Sequence, residues 1–453
     1  MSSKKLFGMS AADKARLLSA MRRSQGSEAT SAAEQGRTAR MPIAPEWLRF
    51  DSLPGYTEIR VQQAVAKQAG LEDIFYVCHD GLGTARTSIH GREYLNFSCY
   101  DYLGLNGDAR VLAAARQAAA RYGMSASASR LTAGERPPHR ELETTIAGLY
   151  GAEDCICFVS GHATNVSTLG KVFGPHDVIF HDALCHNSLL LGATLSGATR
   201  ISYPNNDMEA LARLLESRRY SHQRAVIVSE GLFGMDGCLC DLPRLTALKK
   251  EHGCLLMIDE AHSLGVLGSS GRGVHEHFGL PASDVDIWMG TLSKTFCGCG
   301  GYIAGSAALV EFLKYQAPGF VYSVGMPPSV AAASAEAARI MLAEPERLEK
   351  LHANCRLLLE SAQAAGLDTG KAQGFAVIPI MVGDSLTAAI LSQELRDRGV
   401  LALPIIYPGV EEGKARLRFF VSSMHTEADL RTAVTATCEA LPVARQKAAA
   451  YAR

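Results

Sequence analysis

Four places in this sequence bring together residue types able to do covalent or acid–base chemistry, and each lies where a short apolar run ends. In Thr291-Leu292-Ser293-Lys294-Thr295-Phe296 a lysine stands among hydroxyls and is followed by the glycine-dense CGCGGYIAGS. Burial lowers a lysine's pKa and suits the amine to Schiff-base chemistry; the plain alternative is a solvated lysine at a strand end. The glycines allow backbone to approach a bulky group closely. In Ile258-Asp259-Glu260-Ala261-His262 an acid closes an apolar run. A carboxylate buried there wants a permanent cation, a metal or a positive cofactor nitrogen, although a helix-capping aspartate and a core histidine remain open. Ser160-Gly161-His162, with Asn165, stands between a strand and a helix, where backbone N–H groups and the helix dipole favour an anion. Alone, such a turn is common and points to structure only. In His181-Asp182 with Cys185-His186-Asn187-Ser188, His186 could lie flat on an aromatic ring, though taken singly it reads as a capping or core residue.

The elements that must hold these residues alternate. CICFVS (155–160), DVIFHD (177–182), AVIVSE (225–230), LLMIDE (255–260) and DIWMGTLSK (286–294) read as strands, with helical stretches between them. Short apolar strands alternating with helices indicate an α/β fold around a mostly parallel sheet covered on both faces, whose sites lie beyond the carboxyl ends of the strands. Before this region come a hairpin over 87–97, with its turn at Gly91-Arg92, and helices at 108–122 and 137–150. After it a long Ala-rich helix (329–363), strands at 375–382, 400–406 and 415–421, and helices at 386–398 and 426–440 predict a smaller α+β C-terminal domain. The expected division is 1–43 as an N-terminal extension, 44–104 as an N-terminal segment, 105–335 as the large domain and 336–453 as the small one. Within the extension, Ser10 and Asp13 could cap a short helix with Leu17, Leu18 and Met21 on one face, either a frayed tail or a docking helix.

The 453-residue length agrees with more than one core. Lys+Arg 45 against Asp+Glu 46 leaves no basic excess for nucleic acid. No apolar run approaches a membrane span, and the N-terminus lacks a secretory apolar stretch, so a cytoplasmic location is expected. The 12 cysteines form three CxC pairs but no CxxC framework; reduced thiols and no metal site are expected.

A strand-end acid, a nearby histidine, a downstream lysine and a phosphate cup on one sheet edge together match what pyridoxal phosphate requires. The motifs NFSCYDYLGL (96–105), SASRLTAGERPPHRELE (127–143), SGHATN (160–165), HDALCHNSLLLGA (181–193), SEGLFGMDG (229–237), IDEAHSLGVLGSSGRG (258–273), TLSKTFCGCGG (291–301), YSVGMPPS (322–329) and ARLRFFVSSMHT (415–426) resemble, in order, those of the α-oxoamine synthases, pyridoxal-phosphate enzymes of fold type I. The resemblance covers roughly residues 90–440. It implies a seven-stranded, mostly parallel sheet in the large domain. It implies a decarboxylative condensation of an amino acid with an acyl thioester, the acyl group carried by coenzyme A or a carrier protein, giving an α-amino ketone.

The resemblance also implies roles. Lys294 holds the cofactor and moves the Cα proton; Asp259 pairs with the pyridinium; His262 hydrogen-bonds the ring hydroxyl; His186 and Ala261 cover the two ring faces. Gly161, His162 and Thr291 serve the phosphate, and Ser160, Glu230 and Ser293 complete the cofactor shell. Ser323 reaches the phosphate of a second subunit in a homodimer, Arg418 grips the amino-acid carboxylate, and Tyr100 touches substrate. Tyr100, Gly234 and Gly325 depart from the family's usual asparagine, serine and serine. The stretch from SLPGYTEIRVQQAV to GERPPHRELE is similar to synthase domains of polyketide assembly lines, which favours a carrier-bound donor in secondary metabolism. The alternative activity is a fold-type I aminotransferase. A non-catalytic subunit of this family would lack the lysine.

Overall fold

The computed structural model describes residues 43–451 apart from 69, 72 and 73. The capped helix expected after Ser10 lies outside the described residues. The described residues divide into two compact units, one holding His79–Ile380 with Arg418–Val434, the other Met381–Leu417 with residues 43–78 and 435–451.

In the larger unit, β1 (Arg86–Ile89) and β2 (Arg92–Asn96) form an antiparallel hairpin. Its turn is His90-Gly91, one residue earlier than expected, and both residues have positive φ, 51° and 78°. Two consecutive left-handed residues make the tight turn that matches strand twist, and glycine takes the second without strain.

The main sheet has seven strands in the order β3-β9-β8-β7-β6-β4-β5: β3 (Asp154–Phe158), β4 (Val178–Asp182), β5 (Thr199–Tyr203), β6 (Ala225–Glu230), β7 (Leu255–Asp259), β8 (Ile287–Thr291) and β9 (Gly301–Gly305). β9 runs antiparallel to both β3 and β8, and the pairs from β8 through β7, β6 and β4 to β5 are parallel. The carboxyl ends of β3, β4, β6, β7 and β8 therefore share one edge. β4 and β6 are buried along their whole length, so their Val, Ile and Phe side chains face helices on both sides. Helices Gly161–Val172, Asn187–Ser196 and Ala307–Gln316 contribute Leu169, Leu189 and Leu313 to a cluster with Ile156, Phe158, Ile179, Val226, Val228, Met257, Met289 and Ile303. Each such side chain contributes about 1.5–3 kcal/mol on burial.

Three sequence expectations need correction. The long helix over 329–363 is two helices, Pro328–Ala343 and Pro345–Ala364, because Pro345 cannot continue the first and is well placed to start the second. The strand expected over 286–294 ends at Thr291, leaving Lys294 in the turn beyond it. β5 and β9 were not recognised in the sequence; β5 is mostly exposed at the sheet edge, and β9 lies inside the glycine-dense run.

The smaller unit contains the helix Pro54–Gln68, which buries no residue, the helix Ser385–Asp397 capped by Asp384, and the short strands Val400–Leu401 and Leu403–Ile405. Glu394 there pairs with Arg398 and Lys447. Among the described residues no helix is long and apolar enough to cross a membrane. All 12 cysteines are free thiols, most of them buried.

Candidate active site

Parallel pairing puts Glu230, the last residue of β6, directly beside Asp259, the last of β7. Asp259 is 3% exposed. Its Oδ1 accepts the Ala261 N–H at 2.9 Å and its Oδ2 accepts Nδ2 of Asn165 at 2.9 Å. Glu230 accepts the His186 N–H at 2.6 Å and the Gly234 N–H at 3.4 Å. Burial first, and then the neighbouring Asp259 charge, raise the Glu230 carboxyl to about 8. Two like charges at adjacent strand ends do not both ionise freely.

One strand over, Lys294 follows β8. Burial lowers its amine from 10.5 to about 8; Asp259 and Glu230 oppose the drop and Arg418 adds to it. The amine stands 5.7 Å from the centre of the Tyr100 ring. Tyr100 meets Phe420 edge-on at 4.6 Å and His262 at 6.3 Å. His262 lies parallel to Phe420, with centroids 6.1 Å apart, and its Nδ1 is 2.8 Å from the hydroxyl of the fully buried Tyr102. Burial, then Lys294, Arg418 and His186, hold His262 well below its usual pKa, so the ring is neutral. A Cβ at Gly234 would collide with Nε2 of His262. The missing side chain at 234 thus leaves His262 its place.

His186 caps the helix Asn187–Ser196, its Nδ1 accepting the Ser188 N–H at 3.3 Å, with the Ser188 hydroxyl at 2.7 Å. Burial lowers its pKa; Asp259 opposes this, and Lys294, His162 and Arg418 add to it. Arg418 donates from Nη1 to the Gly234 carbonyl at 2.7 Å and lies 4.5 Å over the Phe420 ring.

The phosphate-cup residues converge as well. Ser160 caps the helix Gly161–Val172 by accepting the Ala163 N–H at 3.3 Å. Thr291 donates its hydroxyl to the Gly300 carbonyl at 2.9 Å and accepts the Ser293 N–H at 3.2 Å. A Cβ on Gly161 would sit 3.0 Å from the Thr291 hydroxyl. At Gly301 it would sit 2.6 Å from the Thr164 hydroxyl, 2.8 Å from Gly161 Cα and 3.0 Å from the Gly290 carbonyl. Backbone at the start of the Gly161 helix is therefore brought against the β8 and β9 ends with no room for side chains. His162 is exposed beside this cup. Ser323 is half-buried after the short helix Pro318–Val321, and its described hydrogen bond is to the Phe320 carbonyl.

Gly301→Ala is expected to lower the melting temperature by the equivalent of about 1–3 kcal/mol, since backbone and not a flexible side chain must yield. It should also weaken phosphate binding, read as a higher dissociation constant for pyridoxal phosphate. An unchanged melt and affinity would show that the cup has slack.

Sequence reasoning missed Tyr102 and gave Asn165 and Ser188 no role. Asn165 is 1% exposed and Ser188 fully buried, between the predicted histidine and the predicted acid. Their polar identity in otherwise apolar helix faces was the available signal. Among the described residues no group of three His, Cys, Asp or Glu side chains could hold a metal ion.

The donor set fits pyridoxal phosphate. A buried carboxylate is built to meet a cation, a lysine amine is brought down toward neutrality, and two neutral imidazoles and a side-chain-free anion cup share one sheet edge. A seven-stranded, mostly parallel sheet with that edge defines the class: a pyridoxal-phosphate enzyme of fold type I. The aminotransferase class I and II family matches residues 92–436. An 8-amino-7-oxononanoate synthase of Symbiobacterium thermophilum is 40% identical over 351 residues, 78% of this chain and 89% of that one. The 4-hydroxy-2,2'-bipyrrole-5-methanol synthase PigH of Serratia sp. is 37% identical over 339 residues, 75% of this chain and 52% of that one. A solved serine palmitoyltransferase carrying pyridoxal phosphate superposes with a TM-score of 0.83 at 26% identity, covering 88% of this chain and 99% of that one. The chain belongs to the aminotransferase class I and II family and, within it, to the α-oxoamine synthases, pyridoxal-phosphate-dependent acyltransferases that condense an amino acid with an acyl thioester.

Proposed function

We propose that this chain performs the condensation decarboxylatively, giving an α-amino ketone, and that Lys294, Asp259, His262 and His186 are its catalytic residues. The observation that carries this reading is the placing of Glu230 beside Asp259 at neighbouring strand ends, with Lys294 following the next strand and its amine lowered to about 8 by burial against the opposing pull of both carboxyls. When bound, pyridoxal phosphate supplies an electron sink for the pair left at the amino acid's Cα. Lys294 holds the cofactor, then takes and returns the proton at Cα; a midpoint near the working pH makes both transfers feasible. Asp259, kept in place by Ala261 and Asn165, keeps the cofactor nitrogen protonated. Neutral His262 would hydrogen-bond the ring hydroxyl, and His186 and Ala261 would cover its two faces. Ser160, Gly161, His162, Thr291 and Ser293 receive the phosphate, and Glu230 braces His186 through its backbone N–H. Arg418 would bind the amino-acid carboxylate and so orient the bonds at Cα. Tyr100 lines the amino-acid side.

The finer reading is a cytoplasmic homodimer in which Ser323 reaches the partner subunit's phosphate, working in secondary metabolism on an acyl group held by a carrier protein. In this reading the first 43 residues dock the carrier, 44–104 is a separate N-terminal segment, 105–335 is the cofactor domain and 336–453 the smaller one. The likeness to PigH and the polyketide-like stretch from Ser52 support it. The test is a panel of amino acids with acyl-coenzyme A and acyl-carrier donors. Carbon dioxide, free thiol and amino ketone should appear in equal amounts, with the carrier donor favoured roughly tenfold in kcat/KM. A keto acid as product overturns condensation, and equal or better turnover with the coenzyme A ester overturns the carrier.

A further inference from the structure

Behind the site a chain of buried polar groups joins His186 to Asp259, and the Ser188 link in it has no role in the reading above. Asn165 Nδ2 lies 2.9 Å from Asp259 Oδ2 and 3.0 Å from the Ser188 hydroxyl. The Ser188 hydroxyl lies 2.7 Å from His186 Nδ1, and the Ser188 backbone N–H points at the same nitrogen from 3.3 Å.

The directions of these bonds are fixed by chemistry. An amide NH2 has two protons to donate, and a carboxylate can only accept. Asn165 therefore gives one proton to Asp259 and the other to the Ser188 oxygen. Turning the amide over would set its carbonyl against the acceptor-only Asp259 carboxylate and lose that bond, so the Asp259 contact fixes the amide's direction. With its oxygen taken by Asn165, the Ser188 hydroxyl has its own proton for His186 Nδ1. The Ser188 N–H can only donate, so Nδ1 faces two donors and must be the unprotonated nitrogen. The neutral ring then carries its proton on Nε2. The Asn165 Oδ1 atom has no hydrogen-bond partner among the described residues, so the amide is oriented by its donors alone.

We infer that Asn165 and Ser188 are positioning residues that lock His186 as its Nε2–H tautomer and tie the ring to the Asp259 carboxylate. The inference deepens the reading of His186 and Asp259 given above. The two groups expected to touch the cofactor, one on its face and one on its nitrogen, are thereby held at a fixed separation through one buried amide and one buried hydroxyl. His186 presents a hydrogen-bond donor, never an acceptor, toward whatever lies over the Nε2 side, which suits an anionic or carbonyl oxygen of the substrate.

The test is a nitrogen NMR spectrum of the full-length holoenzyme labelled with 15N-histidine, the His186 signals being those lost in His186→Gln. Wild type should show Nδ1 unprotonated and Nε2 protonated. Ser188→Ala and Asn165→Ala should each give a mixture of tautomers, and Ser188→Thr, which keeps the hydroxyl, should restore the single form. The same two alanine variants should lose up to about 10²-fold in kcat, with KM changed far less, as expected for misplacement of a group over the reacting centre. Ser188→Ala removes one oxygen only and carries the test even if Asn165→Ala does not fold. A proton on Nδ1 in wild type, or a tautomer unchanged in Ser188→Ala, overturns the inference. A locked tautomer in a protein that forms no amino ketone would leave the relay standing and sink the catalytic reading instead.

Discussion

Lys294→Ala should leave a folded protein that retains at most about 10⁻²–10⁻⁴ of wild-type turnover, the range expected for losing a positioned acid–base group. The fold should survive because the turn does not depend on the lysine side chain. The Leu292 N–H donates to the Gly300 carbonyl at 2.9 Å and the Gly298 N–H to the Leu292 carbonyl at 2.8 Å. Leu292 and Phe296, on either side, are fully buried anchors. Two measurements separate loss of chemistry from loss of structure. Borohydride treatment followed by mass spectrometry should attach the cofactor to wild type and not to the variant. The pH profile gives the second. The folded-state amine sits near 8, below its usual 10.5, chiefly through burial. The neutral amine is the reactive form, so cofactor capture by the cofactor-free wild type should rise as pH increases through about 8 and level off above it. Full covalent labelling of Lys294→Ala would place the attachment elsewhere and overturn the assignment.

The lysine and its acid were legible in the sequence because Asp259 ends one strand of unmistakable apolar character and Lys294 follows closely on another, and a buried charge at such a place asks for a partner. LLMIDE and AVIVSE announce both the strand and the edge on which Asp259 and Glu230 stand. Their side-by-side register was not legible, since it comes from pairing of parallel strands 29 residues apart, as in Glu230 with Asp259. β9 escaped for a local reason. The glycines at 298, 300 and 301 depress strand propensity, yet Gly301 admits the Gly161 helix and the β8 end, and Gly300 the Phe158 carbonyl, a tertiary demand that no local pattern displays. Pro345 was a plain stop signal passed over in favour of alanine-rich composition on both sides. Tyr102 and Asn165 escaped because a buried polar side chain acquires a role only from what it faces. The Tyr102 hydroxyl meets a histidine 160 residues later, and Asn165 an aspartate 94 residues later.

Asp259→Asn should cost about 3–5 kcal/mol in transition-state stabilisation, roughly 10²–10³-fold or somewhat more in kcat/KM, because it leaves the cofactor's ring cation buried without its counter-charge. The change is nearly isosteric, so packing does not decide the outcome. Hydrogen bonding does, because both oxygens of Asp259 accept from donors, the Ala261 N–H and the Asn165 amide. An asparagine at 259 must turn its own NH2 toward one of them, leaving a donor facing a donor at a further cost of about 1–3 kcal/mol. The electrostatic consequences can be read independently of turnover. Asp259 raises the Lys294 amine and raises the Glu230 carboxyl, both near 8. Its neutralisation should therefore move both downward, so that cofactor capture by the variant reaches half its maximum at a lower pH than in wild type. Glu230, raised from 4.5, holds a proton in the folded protein that it loses on unfolding across pH 4.5–8. Stability is thus greatest below that window and declines as pH rises through it. In Asp259→Asn the Glu230 share of that decline should end at a lower pH, read as a flatter fall in melting temperature toward pH 8. A variant with wild-type kcat/KM and an unmoved Lys294 midpoint would mean that the charge beside the lysine comes from Glu230, and Glu230→Gln would then show the large loss in its place.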